Sequence, residues 1–271
     1  MSLRSPNVVS LMSANYVARE LGYHMTGGWA EGDLATNEFF RPADTFPERF
    51  GALLDEMKAL DVSAIDLWTA HLNPAWVTPN HVIAAQEELR RAGLGVSSLA
   101  GGFGDTPDAF EKSCALAVAL GAPVLGGSSG LLSSDRSTLL AIAQDYGVIF
   151  GFENHPEEKT AEDVRAKLGR ADTHLGVTLD TGWFGTNGTD AVAAIRDLAD
   201  VLVHVHLKDV RAAGAHETCR YGEGVVPIEA CVRELKRLGY AGGISVEHEP
   251  EFFDPSEDCR VNLELLKGWL A

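Results

Sequence analysis

The sequence predicts an α/β fold, specifically a (β/α)8 TIM barrel. Eight short apolar, β-branched runs alternate strictly with eight longer segments of helical period. The length, 271 residues, suits one such barrel of about 250 residues. No G-x-G-x-x-G follows the first strand, which speaks against an open dinucleotide-binding sheet. There is no linker and no low-complexity stretch, so residues 1–271 read as a single domain.

Taken in order, strands are expected at 8–12, 64–68, 95–100, 123–126, 148–153, 176–180, 201–207 and 243–247. The first helix, 46–60, places Phe50, Leu53, Leu54, Met57 and Leu60 on one stripe. The second, 81–92, aligns Val82, Ala85 and Leu89, and Thr78-Pro79 is its start signal. Helices at 109–120, 137–144, 161–168, 190–198, 228–238 and 255–269 follow. Asp135 or Ser137 could open the fourth, and Thr160 with Asp163 the fifth. Gly93, Gly121, Gly147 and Gly239 stand where helices should stop.

Two segments break the rhythm. Residues 15–45, rich in Gly, Trp and Phe, fall on the catalytic face of a barrel and could be a lid or a packed insertion. Residues 209–227 form a second long loop on that face. The fourth unit is compact, with little chain between Gly126 and its helix.

The charge balance excludes some functions. Lys and Arg number 22 against 39 Asp and Glu, a net charge of −17. Such a surface repels phosphate backbones and anionic membranes, so neither nucleic acid nor membrane is an expected partner. The residues at the N-terminus open no long apolar run, so no signal peptide is expected. Cys114, Cys219, Cys231 and Cys259 show no metal-binding spacing and read as reduced thiols of a cytoplasmic protein.

Four polar groups close consecutive strands: Glu153, Asp180, His206 and Glu247. Barrel strands are buried on both faces, and a buried unpaired carboxylate is costly. Three carboxylates and an imidazole converging at strand ends need a cation between them. That donor set suits one divalent ion, Mn, Mg, Co or Zn, with positions left for substrate oxygens. The bland alternative is separate salt bridges and helix caps at the rim.

The motifs Phe152-Glu-Asn-His155, Leu179-Asp-Thr-Gly182, His204-Val-His-Leu-Lys-Asp209, Gly222-Glu-Gly224 and Ser245-Val-Glu247 resemble the xylose-isomerase-like sugar phosphate isomerase/epimerase family. The resemblance covers roughly residues 148–271; the first half matches in architecture and in Ile65-Asp-Leu-Trp68. It implies that Glu153, Asp180, His206 and Glu247 bind the metal and that Glu153 and Glu247 form an acid/base pair. An ion chelating a carbonyl and a neighbouring hydroxyl acidifies the C–H between them, and a carboxylate takes the proton. Two departures matter. Trp183 stands where the family often has His, which suggests a more aromatic substrate face. Cys219-Arg-Tyr221 replaces the Asp-x-His expected of the apurinic endonucleases, which argues against that activity.

Among flanking residues, His155 could be a general base or a surface His, and Asn154 could orient a ligand. His204 shares a face with His206 and is expected to pack one layer deeper. Trp68, His71, Trp183, Lys208 and Arg211 are candidate substrate contacts; Lys208 could instead pair with Asp209, and Glu249 could be second to the ligands or simply solvated. The leading expectation is an isomerase or epimerase of a small polyhydroxylated keto compound, a sugar or cyclitol. A dehydratase of the inosose or dehydroshikimate type is the alternative, with His155 or Lys208 as leaving-group acid. A non-catalytic metal-stabilised binding protein is the third, and a homo-oligomer stays open.

Overall fold

In the computed structural model, which describes residues 7–170 and 172–271, eight parallel strands close into a barrel. The N-terminal stretch read for a leader, residues 1–6, lies outside the described residues. The first strand, β1 (Val9–Met12), leads into two 3-10 turns, Ser13–Tyr16 and Arg19–Leu21, then α1 (Trp29–Phe40) and α2 (Phe46–Lys58). Then come β2 (Ala64–Trp68), α3 (Pro79–Ala92), β3 (Gly95–Gly102), α4 (Pro107–Leu120) and β4 (Val124–Ser128). A one-turn α5 (Leu131–Ser134) precedes α6 (Arg136–Tyr146), β5 (Ile149–Glu153), α7 (Ala161–Leu168) and β6 (Leu175–Asp180). After a short α8 (Thr181–Thr186) and α9 (Ala191–Asp197) come β7 (Leu202–Leu207) and a hairpin of β8 (Asp209–Ala212) and β9 (Ala215–Cys219). The chain ends with α10 (Ile228–Leu238), β10 (Gly243–Val246) and α11 (Ser256–Leu270). The barrel order is β1-β10-β7-β6-β5-β4-β3-β2.

Local chemistry explains the ends. The amide of Thr78 donates to His81 Nδ1 at 3.2 Å, so a histidine completes the α3 capping box in place of the usual Glu. Asp135, not Ser137, caps α6 by accepting from the Thr138 amide at 3.1 Å. Thr160 and Asp163 cap α7 reciprocally. Helix α3 stops at Gly93 in the left-handed conformation, φ 65°, and α10 at Gly239, φ 67°.

The main core lies between barrel and helices, with Phe46, Phe50, Phe110 and Phe150 among its buried rings. A smaller core of Met12, Val17, Met25, Trp68 and Ala100 sits at the C-terminal end of the strands, formed in part by residues 15–45. Val17, Ala18 and Met25 of that segment are buried in this core, whereas Trp29 and Leu34 are exposed, and the segment contains a helix where no periodic pattern was evident. The buried stripe of α1 is Gly32, Thr36 and Phe40. A Cβ at Gly32 would lie 2.6 Å from Val17 and 2.7 Å from Met25 Sδ, so close approach needs glycine there.

Residues 209–227 also correct the expectation of an irregular loop. Asp209 organises them: its carboxylate accepts from the amides of Val210, Gly222, Gly224 and Val226 at 2.9–3.1 Å. A side chain at Gly224 would meet Val210 O at 2.2 Å and Asp209 Oδ1 at 2.3 Å. The Gly222-Glu-Gly224 motif thus wraps a buried carboxylate that does not pair with Lys208.

Candidate metal and acid/base site

The face at the C-terminal ends of the strands holds a cavity of about 320 Å³. Its polar floor comes from β5, β7 and the chain just after β10. Glu153 ends β5, His206 lies near the end of β7, and Glu247 follows β10, its amide bonded to Leu207 O at 3.0 Å. His206 Nδ1 lies 2.6 Å from Glu153 Oε1 and 3.3 Å from Glu247 Oε2. One donor atom from each of these three buried residues falls within 4.8 Å of the others, a grouping that could hold a metal ion.

Asp180 occupies a different position. It sits beside His206 in the sheet register. Its Oδ1 accepts from the Gly182 amide at 2.6 Å and the Trp183 amide at 3.3 Å, and Oδ2 is 3.1 Å from Lys208 Nζ. Asn154 grips the Asp180 backbone with two 2.9 Å bonds, fixing β6 against β5 rather than touching a ligand carboxylate. Lys208 Nζ also lies 2.8 Å from Glu247 Oε1 and 3.1 Å from Glu249 Oε2. Part of the positive charge required among the carboxylates is therefore supplied by this lysine.

Charge states follow from these contacts. Burial raises the Glu153 carboxyl, but the charge and hydrogen bond of His206, helped by His155 and Lys208, outweigh it and hold the group at about 2. Burial pushes Glu247 well above the usual carboxylate range; Lys208 opposes, while Glu249 and Asp180 add to the rise. His206 and Lys208 are both raised well above their ordinary values, because their carboxylate neighbours overcome burial. Glu247 Oε2 makes no hydrogen bond; its cationic neighbour is His206 Nδ1 at 3.3 Å. A buried carboxylate oxygen with no hydrogen bond, next to a second carboxylate and an imidazole, fits a divalent cation.

Asp66, in the middle of β2, was not singled out from the sequence. Its Oδ2 lies 3.0 Å from His206 Nε2 and 2.8 Å from His204 Nε2, and Oδ1 accepts from Ser98 Oγ. An ionised carboxylate only accepts, so both Nε2 atoms carry protons. The signal was available: an acidic residue inside the otherwise apolar run Ile65-Asp66-Leu67 needs a buried partner. His204 occupies the deeper layer expected of it.

The cavity walls are aromatic. Trp68 and Trp183 line it, together with His155, whose Nε2 is 4.0 Å from Glu153 Oε2. His216 from β9 stacks flat on Trp183, with centroids 3.5 Å apart, and Trp29 leans on Trp68 at 5.0 Å. Trp29 comes from the Gly-, Trp- and Phe-rich segment expected on this face, though no role was assigned to it by residue, and His216 carried no sequence signal. His71 does not line this cavity; it lies behind Trp68, packed against Phe40, with Nδ1 3.1 Å from Ser13 Oγ. Arg211 is half exposed, pairs with Glu217 and Glu223, and faces a neighbouring cavity.

Three comparisons place the chain. It matches an uncharacterised protein of Methanocaldococcus jannaschii at 32% identity over 153 residues, 52% of this chain and 50% of the relative. The chain thus spans about half the length of that relative. It matches an inosose dehydratase of Lactiplantibacillus plantarum at 26% identity over 216 residues, 62% of this chain and 72% of the relative. Among solved structures, a D-tagatose 3-epimerase-like protein superposes with a TM-score of 0.66 at 21% identity, covering 80% of this chain and 91% of that one. Residues 18–269 match the family described as xylose isomerase-like TIM barrel, and the chain belongs to that family.

Proposed function

We propose that this protein is a divalent-metal-dependent isomerase or epimerase of a small polyhydroxylated keto compound, a sugar or cyclitol. The observation that carries this reading is the placement of Glu153 and Glu247, two carboxylates flanking His206 and lining one cavity. Glu153, His206 and Glu247 would hold the ion, with Asp180 as the fourth ligand once its Oδ2 is shared with it. A divalent ion held by these residues would supply Lewis-acid chemistry, acidifying the C–H beside a carbonyl. Glu153 takes that proton and Glu247 returns one from the other flank, or the reverse. Lys208, held charged by three carboxylates, stabilises negative charge rather than giving up its proton. Trp68 and Trp183 cover the apolar face of the ring, and residues 15–45 close the mouth through Trp29. Buried free thiols at all four cysteines support a cytoplasmic location.

Dehydration is the second reading. His155 lines the same cavity within 4.0 Å of Glu153, where it could protonate a departing hydroxyl.

The test is incubation of metal-loaded protein with keto-sugars and cyclitols in deuterated water. Deuterium at one carbon with an otherwise unchanged mass supports isomerisation or epimerisation. Loss of one water supports the dehydratase. Binding without deuterium uptake overturns both in favour of a binding protein.

A further inference from the structure

A second cavity, of about 730 Å³, adjoins the first and shares Trp29, His216 and Glu249 with it. Its outer wall is formed by Phe252 and Phe253, in the segment between β10 and α11. These rings are 60% and 47% exposed, and Trp29 is 44% exposed. Three large aromatic side chains therefore stand in water around one hollow, an arrangement that marks a binding site more often than chance. Phe253 leans on His248 at 5.8 Å and Phe252 on His24 at 6.2 Å, so both are braced.

The polar groups indicate the ligand's charge. Arg211 is already engaged by Glu217 and Glu223, so it offers no spare charge to an anion. Glu217, Glu249 and Glu251 also border the hollow and disfavour one. A neutral, flat, apolar ring fits: it would cover the exposed aromatic faces and leave the carboxylates to water or hydroxyls. The inner cavity, by contrast, has the volume and polar floor for a single sugar ring.

We propose that the substrate is a glycoside whose sugar ring, oxidised to a ketone at a carbon other than the anomeric one, occupies the inner cavity, with a ring-bearing apolar aglycone between Trp29 and Phe252–Phe253. This rests on the reading of the inner cavity as a keto-sugar site. Trp29 belongs to both cavities, so its indole would contact the ligand at the glycosidic linkage, and its Nε1, 3.3 Å from Glu249 Oε1, fixes its orientation.

The experiment is calorimetric titration of the metal-loaded protein, in deuterated water, with paired methyl and phenyl glycosides of glucose, galactose and xylose, each oxidised to a ketone at one ring carbon other than the anomeric one. The phenyl member of at least one pair should bind about tenfold tighter than its methyl partner. The double variant Phe252→Ala/Phe253→Ala should lose that preference while keeping its methyl glycoside affinity, melting temperature and metal content. Equal affinities within every pair, no binding by any, or a preference surviving in the double variant overturns the subsite. Deuterium uptake by free keto-sugars without aryl preference overturns the subsite alone. Aryl preference without deuterium uptake overturns the proposed reaction and leaves the subsite standing.

Discussion

Asp66 Oδ2 lies 3.0 Å from His206 Nε2, so a carboxylate in the middle of β2 decides which imidazole nitrogen faces the cavity. With Nε2 protonated toward Asp66, Nδ1 is the atom left for Glu153, Glu247 or an ion. Such outer partners typically govern metal affinity by 10–100-fold. Asp66→Asn is expected to weaken divalent-ion binding by about that factor, measured by competition with a chelator. Unchanged affinity would mean that Asp66 acts only in packing.

Lys208 is a buried cation shared by Asp180, Glu247 and Glu249. Removing one partner of a buried charge cluster usually costs about 3–5 kcal/mol. Lys208→Met should lower the melting temperature markedly, and added Mn²⁺ or Zn²⁺ should restore more of it than the same ion adds to the unaltered protein. Equal melting temperatures for the two proteins would show that the carboxylates are relieved in another way.

His71 sits behind Trp68, and burial, with a smaller contribution from Arg19, lowers its pKa from 6.5 to about 3. Between those values the unfolded chain binds a proton that the folded chain does not. Stability is therefore complete above pH 6.5 and falls as the pH drops through this window, by up to about 1.4 kcal/mol per unit. In urea melts from pH 7 to 4, His71→Phe should show a shallower decline than the unaltered protein. Parallel curves would mean that His71 is protonated in the fold without penalty.

Two glycines should respond with opposite sign. A Cβ at Gly151, on β5, would stand 2.4 Å from Thr178 Oγ1 and 2.9 Å from Val203 Cγ2. Gly151→Ala is expected to destabilise by about 1–3 kcal/mol through overpacking. Gly268, inside α11, has nothing within 4 Å of its Cβ position. Gly268→Ala should stabilise by about 0.5–1 kcal/mol, because the unfolded chain loses freedom. Chemical denaturation of both variants checks the pair; a matching sign would contradict the packing described.

The barrel strands were legible because each is a short apolar run bounded by turn residues, and the observed edges differ from the expected ones by at most two residues. Helix α1 was hidden because its buried stripe begins with Gly32 and Thr36, small residues that leave no apolar period. The hairpin β8–β9 was hidden because Asp209, rather than a run of apolar residues, holds it in place.

The sequence by itself determined the eight-fold alternation, and with it that Glu153, Asp180, His206 and Glu247 would end up near the C-terminal ends of neighbouring strands. Only the tertiary structure decided how those groups divide. Glu153, His206 and Glu247 converge, while Asp180 turns one oxygen to backbone amides and the other to Lys208. It also decided that Asp66 joins from across the barrel and that Trp29 and His216 wall the cavity. The physical reason is range. Periodicity is set by neighbours along the chain, whereas the partner of a buried charge is set by barrel closure, which brings residues 140 positions apart within 3.0 Å.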